Sequence, residues 1–236
     1  MQYYLPRFII LLIAIMPLLT PIRPDIGWIN ATPESFKTAW GVFTVVIALT
    51  WWIYIQYKEK QISFVKTPLY LPIWGFLAWS FITLLWVEDG YLATIMLAQF
   101  TSSALIFTLI INSFKNYDLV VKIPKALVIS MTIVTIIGLM QYYNPDNYFI
   151  QNFFAQAAKP ASTFGNKNMA SHFVVMVLPL SIVFLLSAKN NFVIARYSVV
   201  VILGFWYLMN AAARQAWVAM AVELTVLLAF VILDRY

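Results

Sequence analysis

The sequence predicts an all-α, polytopic integral membrane protein of about eight transmembrane helices, with both termini on the cytoplasmic side. Apolar residues make up 63% of the 236 residues and charged residues only 10%, against roughly 45–50% and about 25% in soluble domains. The apolar residues are grouped in runs of about 20, the length that crosses a hydrocarbon layer about 30 Å thick. A soluble domain of this size cannot bury that much apolar surface.

Short polar or charged breaks separate the predicted helices. The first helix follows Arg7 and could be mistaken for a signal peptide, but Pro17, Pro21 and Pro24 follow it in place of a small-residue cleavage site. We therefore expect it to be kept, and we treat residues 1–236 as one transmembrane domain. The predicted helices are Phe8–Ile22, Ala39–Tyr57, Pro68–Trp86, Tyr91–Ile111, Ile123–Tyr143, Met169–Ser187, Tyr197–Ala213 and Gln215–Leu233.

The last two helices are predicted from a length argument. From Tyr197 to Leu233 the chain contains no proline and no glycine except Gly204. One straight helix over these residues would be about 55 Å long at 1.5 Å per residue, far longer than the bilayer core is thick. We therefore expect a break at the polar segment Asn210–Arg214. The helix before the break is then short, which would leave Arg214 recessed below the membrane surface.

The distribution of basic residues predicts the topology. With the N-terminus inside, ten Lys and Arg residues fall on the cytoplasmic side and five on the outer side, a bias that favours this orientation. The inner residues are Arg7, Lys58, Lys60, Lys66, Lys115, Lys122, Lys125, Lys189, Arg196 and Arg235, and the outer ones are Arg23, Lys37, Lys159, Lys167 and Arg214.

Composition argues against several classes of site. The chain has no cysteine, one histidine and nine carboxylates that lie mostly in loops, so a metal cage or a thiolate nucleophile is not expected. We expect no bound metal and no cofactor. The formal net charge of +6 comes from basic residues spread over the loops, and we expect no nucleic-acid partner.

The first candidate site is the segment from Lys159 to Asn168, which precedes the helix predicted at Met169. It contains Gly165, Asn166, hydroxyl groups and two cations. Free N–H groups at a helix N-terminus with a cation nearby form an anion site, which would suit a phosphate or pyrophosphate. The alternative is purely structural: Asn168 caps the helix, and Gly165 and Asn166 make the turn.

Arg214 is the second candidate. A guanidinium near lipid costs about 2.5–3.5 kcal/mol on insertion scales, and its planar fork matches phosphate oxygens. Alternatively, it extends to the lipid headgroups and has no other role.

Glu223, about 13 Å deeper in the last helix, is either an intramembrane functional group or a helix-packing residue. His172 is either a base facing the outer loop or a structural residue.

Two motifs together carry a resemblance to a family. Ser162-Thr-Phe-Gly-Asn-Lys-Asn-Met-Ala170 opens one predicted helix, and Ala213-Arg-Gln-Ala-Trp217 opens another about 45 residues later. In their order, spacing and outer placement they resemble the O-antigen ligase and polymerase family of bacterial inner-membrane glycosyltransferases, which includes O-linked oligosaccharyltransferases. The match covers residues 159–217, and the earlier helices agree only in being hydrophobic.

The resemblance implies a metal-independent transfer of a glycan from undecaprenyl pyrophosphate to a lipid A core, a growing glycan or a protein, on the periplasmic face. It makes Arg214 the catalytic contact to the pyrophosphate. Lys159, Gly165, Asn166, Asn168 and Trp217 become substrate-binding residues. Family members often have arginine where Lys159 stands.

Family members also continue into a loop bearing a catalytic histidine. We therefore expect the chain to correspond to the N-terminal part of a member. The alternatives are a secondary transporter or lipid-linked-sugar flippase that uses Glu223, and an inactive scaffold.

Overall fold

The computed structural model describes residues 4–20, 33–60, 64–154 and 159–233, and every regular element in these ranges is helical. Short 3-10 turns at Met16–Leu18 and Ser162–Phe164 accompany the α-helices. The helices are α1 (Tyr4–Ile15), α2 (Pro33–Glu59), α3 (Tyr70–Thr83), α4 (Gly90–Ser113), α5 (Tyr117–Val120), α6 (Lys122–Tyr143), α7 (Tyr148–Phe153), α8 (Lys167–Leu186), α9 (Asn191–Ala211) and α10 (Arg214–Leu233).

Within the described ranges, five helical segments are long and apolar enough to cross a membrane. Two further apolar helices, Tyr4–Leu18 and Tyr70–Thr83, are shorter. These helices make the chain a multi-pass membrane protein with an all-helical fold, as the composition predicts. The total of eight spans and the side on which each terminus lies stay predictions. The five long segments are Ser35–Glu59, Gly90–Ser113, Tyr117–Tyr143, Lys167–Leu186 and Asn191–Ala211.

Each predicted segment contains a helix, but some boundaries differ from those predicted. α2 begins at Pro33 and not at Ala39, so Lys37 lies inside a helix and is only 8% exposed, whereas the sequence placed it in an outer loop. α9 begins at Asn191, six residues before the predicted Tyr197, because the side chain of Asn190 caps it by accepting a hydrogen bond from the backbone N–H of Phe192.

The chain forms two compact units, which we describe separately. Unit 1 comprises Met1–Met16 and Ser35–Ile123. Its core joins α1, α2 and α4 through Leu5, Ile9, Trp52 and Leu109, together with smaller apolar side chains. The single-domain prediction rests on the absence of a linker or repeat in the sequence, and it stays a prediction.

Unit 2 comprises Pro17–Glu34 and Pro124–Tyr236, and its core joins α6, α8, α9 and α10. α8 packs against both α9 and α10. Only residues 187–190 separate α8 from α9, and only Ala212 and Ala213 separate α9 from α10. α9 therefore runs back along α8, and α10 runs in the same direction as α8.

Gly138 on α6 and Tyr207 on α9 approach each other closely inside unit 2. A Cβ atom added to Gly138 would lie 2.2 Å from Cε2 of the Tyr207 ring. Tyr207 is fully buried, and its hydroxyl donates a 2.8 Å hydrogen bond to the carbonyl of Pro160. The ring cannot move aside without breaking that bond, so glycine is required at position 138.

We expect Gly138→Ala to destabilise the protein by about 1–3 kcal/mol, because the added methyl overpacks a buried contact. Thermal unfolding in detergent, followed by circular dichroism, measures the change. The matched control is Gly75→Ala on α3, where an added Cβ meets no atom within 4 Å. This control should be stabilised by up to about 1 kcal/mol through helix propensity. An equal melting temperature for Gly138→Ala and the wild type would contradict the close contact.

The predicted break between the last two helices is confirmed. α9 ends at Ala211, α10 begins at Arg214, and Ala212 between them has φ 48° and ψ 41°. This left-handed conformation costs an L-residue roughly 1–2 kcal/mol, so the chain reverses here on an alanine without the usual glycine. α9 has 21 residues and is not short. The expectation of a short helix before the break is therefore wrong, whereas the recessed position of Arg214 stays a prediction.

Ala212→Gly should stabilise the protein by up to about 1 kcal/mol, because glycine adopts the left-handed region freely. Ala212→Val should destabilise it by about 1 kcal/mol or more, since a β-branched side chain is strained there. Melting temperatures of the two variants in the same detergent test this ordering. Ala211→Gly, at a buried helical position, should lower the melting temperature and serves as the control. The reverse order at position 212 would argue against the left-handed turn.

Candidate functional site

The loop before α8 is fixed to α6 by a buried serine. The backbone N–H of Ser162 donates a 2.6 Å hydrogen bond to Oε1 of Gln141, and its hydroxyl donates a 2.6 Å hydrogen bond to the carbonyl of Val134. Nε2 of Gln141 donates in return to the carbonyl of Ser162 at 3.4 Å. Ser162 is 1% exposed. The loop therefore has a defined position on α6.

Two further hydrogen bonds fix the same loop. Tyr207 on α9 donates to the carbonyl of Pro160, and Oγ1 of the buried Thr163 donates to the carbonyl of Pro17 at 2.6 Å. The aromatic ring of Phe164 packs against that of Phe173 on α8, with 5.5 Å between the centroids. The segment that carries Lys159, Gly165 and Asn166 is thus held by α6, α8 and α9 together.

The turn into α8 differs from the structural alternative raised above. Gly165 has φ 67°, and the next residue, Asn166, is extended and caps the helix. Its Oδ1 accepts a 2.8 Å hydrogen bond from the backbone N–H of Asn168. Asn168 is therefore not the cap. The turn lies at Gly165, as that alternative expected, but the helix begins at Lys167, two residues before the predicted Met169, and Asn168 lies exposed in its first turn.

Both candidate segments lie at the same end of unit 2. Because α8 and α10 run in the same direction, their N-termini lie at one end, which we call the Arg214 end. The C-termini of α6 and α9 meet there as well, since the Tyr143 hydroxyl donates to Oδ1 of Asn210 at 3.4 Å. The structure thus brings Lys159, Gly165, Asn166 and Asn168 to the same end as Arg214 and Trp217.

The charges at this end are mainly positive. The backbone dipoles of the four helices largely offset one another, because two N-termini and two C-termini lie together. Three cations, Lys159, Lys167 and Arg214, stand against one carboxylate, Asp146, among the described residues there. Arg214 is exposed and has no hydrogen bond or ion pair with any described residue. Its N–H donors are therefore available to an anion.

An aromatic cluster borders the α9–α10 junction, and the sequence did not predict its contacts. Nε1 of Trp206 donates a 2.9 Å hydrogen bond to the hydroxyl of Tyr143, whose ring lies 5.6 Å from that of Trp206. Tyr143 in turn contacts Asn210. Tyrosines near the ends of membrane helices are common at the membrane interface, so their presence alone does not indicate these contacts. Gln141, two residues before Tyr143, is an amide in an otherwise apolar helix. This feature of the sequence could have indicated that a polar segment packs against this end of α6.

The other ionisable candidates lie apart from these contacts. His172 is exposed on α8, one turn beyond Asn168, and has no hydrogen bond or ion pair with any described residue. Glu223 is partly buried on α10, and its Oε2 is buried without a hydrogen-bond partner among the described residues. In those same ranges, no group of three or more His, Asp or Glu side chains is placed to hold a metal ion.

The arrangement has the chemical groups that bind an anion. It combines an exposed guanidinium, two lysines and the first free N–H groups of α8 and α10. The buried, hydrogen-bonded loop positions Lys159 and the start of α8, and the turn at Ala212 positions Arg214. Trp217, 39% exposed one turn into α10, adds an aromatic surface beside Arg214. Comparison of the chain with models of protein families, with curated proteins and with solved structures found no match.

Proposed function

We propose that this protein is a membrane glycosyltransferase of the O-antigen ligase and polymerase type, in the inner membrane of a bacterium. It would transfer a glycan from undecaprenyl pyrophosphate to an acceptor on the periplasmic face. The observation that carries the proposal is the location of Arg214, exposed and without a partner among the described residues, at the same end of unit 2 as the Gly165–Asn168 turn. The resemblance of the two motifs supports it from the sequence.

The chemistry requires a site that stabilises a diphosphate leaving group. Negative charge grows on the bridging oxygen as the glycosidic bond to the carrier breaks, and fixed cations and N–H donors lower the energy of that state. Arg214 offers two parallel N–H donors to one phosphate group. Lys159 and the N–H groups at the start of α8 can contact the second. In this proposal the acceptor is a lipid A core, a growing glycan or a protein hydroxyl.

The first test is Arg214→Ala in the complete open reading frame that contains this chain, assayed with undecaprenyl-pyrophosphate-linked glycan and candidate acceptors. Removing one donor to a developing anion costs about 100-fold or more in rate. Arg214→Lys should recover part of the activity, because a lysine keeps the charge and loses the fork.

The matched control is Gln215→Ala, one residue further along α10 and equally exposed. It should transfer at the wild-type rate. Binding of undecaprenyl pyrophosphate, measured in detergent, gives a readout that does not depend on the acceptor. Wild-type transfer by Arg214→Ala, with normal expression, would reject the assignment.

A transporter or lipid-linked-sugar flippase is the second candidate, and the buried unpartnered oxygen of Glu223 favours it. An ionisable group within a membrane helix often carries a proton or an ion in transport proteins. A transporter of this kind should lose coupled transport when Glu223 is neutralised.

Glu223→Gln separates the two candidates. The glycosyltransferase proposal predicts unchanged glycan transfer, because Glu223 lies nine residues from Arg214 and on the opposite face of α10. The transporter proposal predicts loss of proton-driven uptake into proteoliposomes, with Thr225→Val on the same helix as the control. Proton-driven uptake by the wild type that is abolished in Glu223→Gln would favour the transporter over the glycosyltransferase.

A further inference from the structure

A groove between α6 and α9 lies at the other end of unit 2 from Arg214, and none of the candidate site residues lines it. It encloses a cavity of about 340 Å³. Lys125 and Arg196 line it near the N-termini of their helices, and Val128, Ile129, Ile133 and Val200 line its apolar part. We call this feature the α6–α9 groove. The functional proposal above makes no use of it.

The groove has a charged mouth and an apolar interior. α6 and α9 run in the same direction, so Lys125 in the first turn of α6 and Arg196 in the second turn of α9 lie at similar depth. Ile133 is eight residues beyond Lys125, about 12 Å deeper into the membrane at helical rise. Ile129 is 62% exposed and Ile133 38% exposed. The apolar part is therefore open to lipid.

Arg196 is held at the mouth by an aromatic pair. Its guanidinium carbon lies 4.7 Å from the ring centroid of Tyr197. Tyr197 is itself buried and stacks on Phe184 with 5.4 Å between centroids. A cation over a ring keeps its N–H donors free. Arg196 and Lys125 make no hydrogen bond or ion pair with any described residue.

The geometry points to the α6–α9 groove as a binding site for an anionic glycerophospholipid of the surrounding bilayer. The lipid phosphate would bind between Lys125 and Arg196, and one acyl chain would lie along Ile129, Ile133 and Val200. Basic pockets between transmembrane helices recognise such headgroups. A zwitterionic lipid fits less well, because no carboxylate is among the residues that line the groove to bind its ammonium group.

Native mass spectrometry of the complete purified chain in detergent tests the site. The probes are phosphatidylglycerol and phosphatidylethanolamine with identical acyl chains. The wild type should retain phosphatidylglycerol more tightly. The double variant Lys125→Gln/Arg196→Gln should bind it about 25-fold more weakly, because each charge removed costs about fivefold. Equal retention of the two lipids by the wild type, or an unchanged double variant, would overturn the proposal.

The matched control for charge is Lys122→Gln/Lys189→Gln. Both residues are exposed, lie near the same helix ends and do not line the groove. This variant has the same net charge as the test variant, and its affinity should change less than about threefold. A loss equal to that of the test variant would mean that overall charge, and not the groove, attracts the lipid, and would reject the site.

The acyl-chain part of the proposal has its own test. Ile133→Trp should fill the groove and weaken phosphatidylglycerol binding about tenfold with no change in charge, whereas Ile136→Trp, exposed on the same helix but outside the groove, should have no effect. Soluble glycerol phosphate should not compete. Full displacement of the lipid by glycerol phosphate, or equal binding by the two tryptophan variants, would show a phosphate site without a lipid and reject the proposal.

Discussion

Backbone groups of a loop buried against a helix bundle need hydrogen-bond partners within the protein, because water does not reach them and an unpaired buried polar group is costly. In unit 2 this requirement is met by Gln141, whose side-chain amide pairs with both backbone groups of Ser162. Tyr207 meets it for Pro160. Gly138 makes that second bond possible, because only a residue without a side chain lets the ring lie across α6. The shape of the Arg214 end follows from these contacts.

The helices and the break between α9 and α10 could be predicted from the sequence, whereas features that depend on tertiary contacts could not. The break near Asn210 followed from helix length and bilayer thickness alone. The start of α9 could not be predicted in this way, because the charged Arg196 before an apolar run indicates a loop. In the fold it sits in an exposed helical turn with its guanidinium over Tyr197, an arrangement in which a long cationic side chain is tolerated near a helix end.

The candidate site, like the helices, could be predicted from the sequence only in part. Glycine, asparagine and cations before a helix indicated an anion site, and the two motifs indicated that Arg214 belongs with it. The identity of the cap did not follow, since Asn166 and Asn168 are equally good capping residues, and the left-handed φ of Gly165 decides between them. Gln141, Tyr207 and the Tyr143–Trp206 pair act through contacts between distant parts of the chain, which a single sequence does not reveal.

The length of α8 sets how unit 2 fits the bilayer. Lys167 begins this 20-residue helix and Lys189 follows its end closely. The helix is about 30 Å long at 1.5 Å per residue, which matches the thickness of the hydrocarbon layer. In a thinner membrane the helix has to tilt to relieve the hydrophobic mismatch. A tilt of α8 would carry the Arg214 end of unit 2 sideways, so membrane thickness would influence which anions this arginine meets.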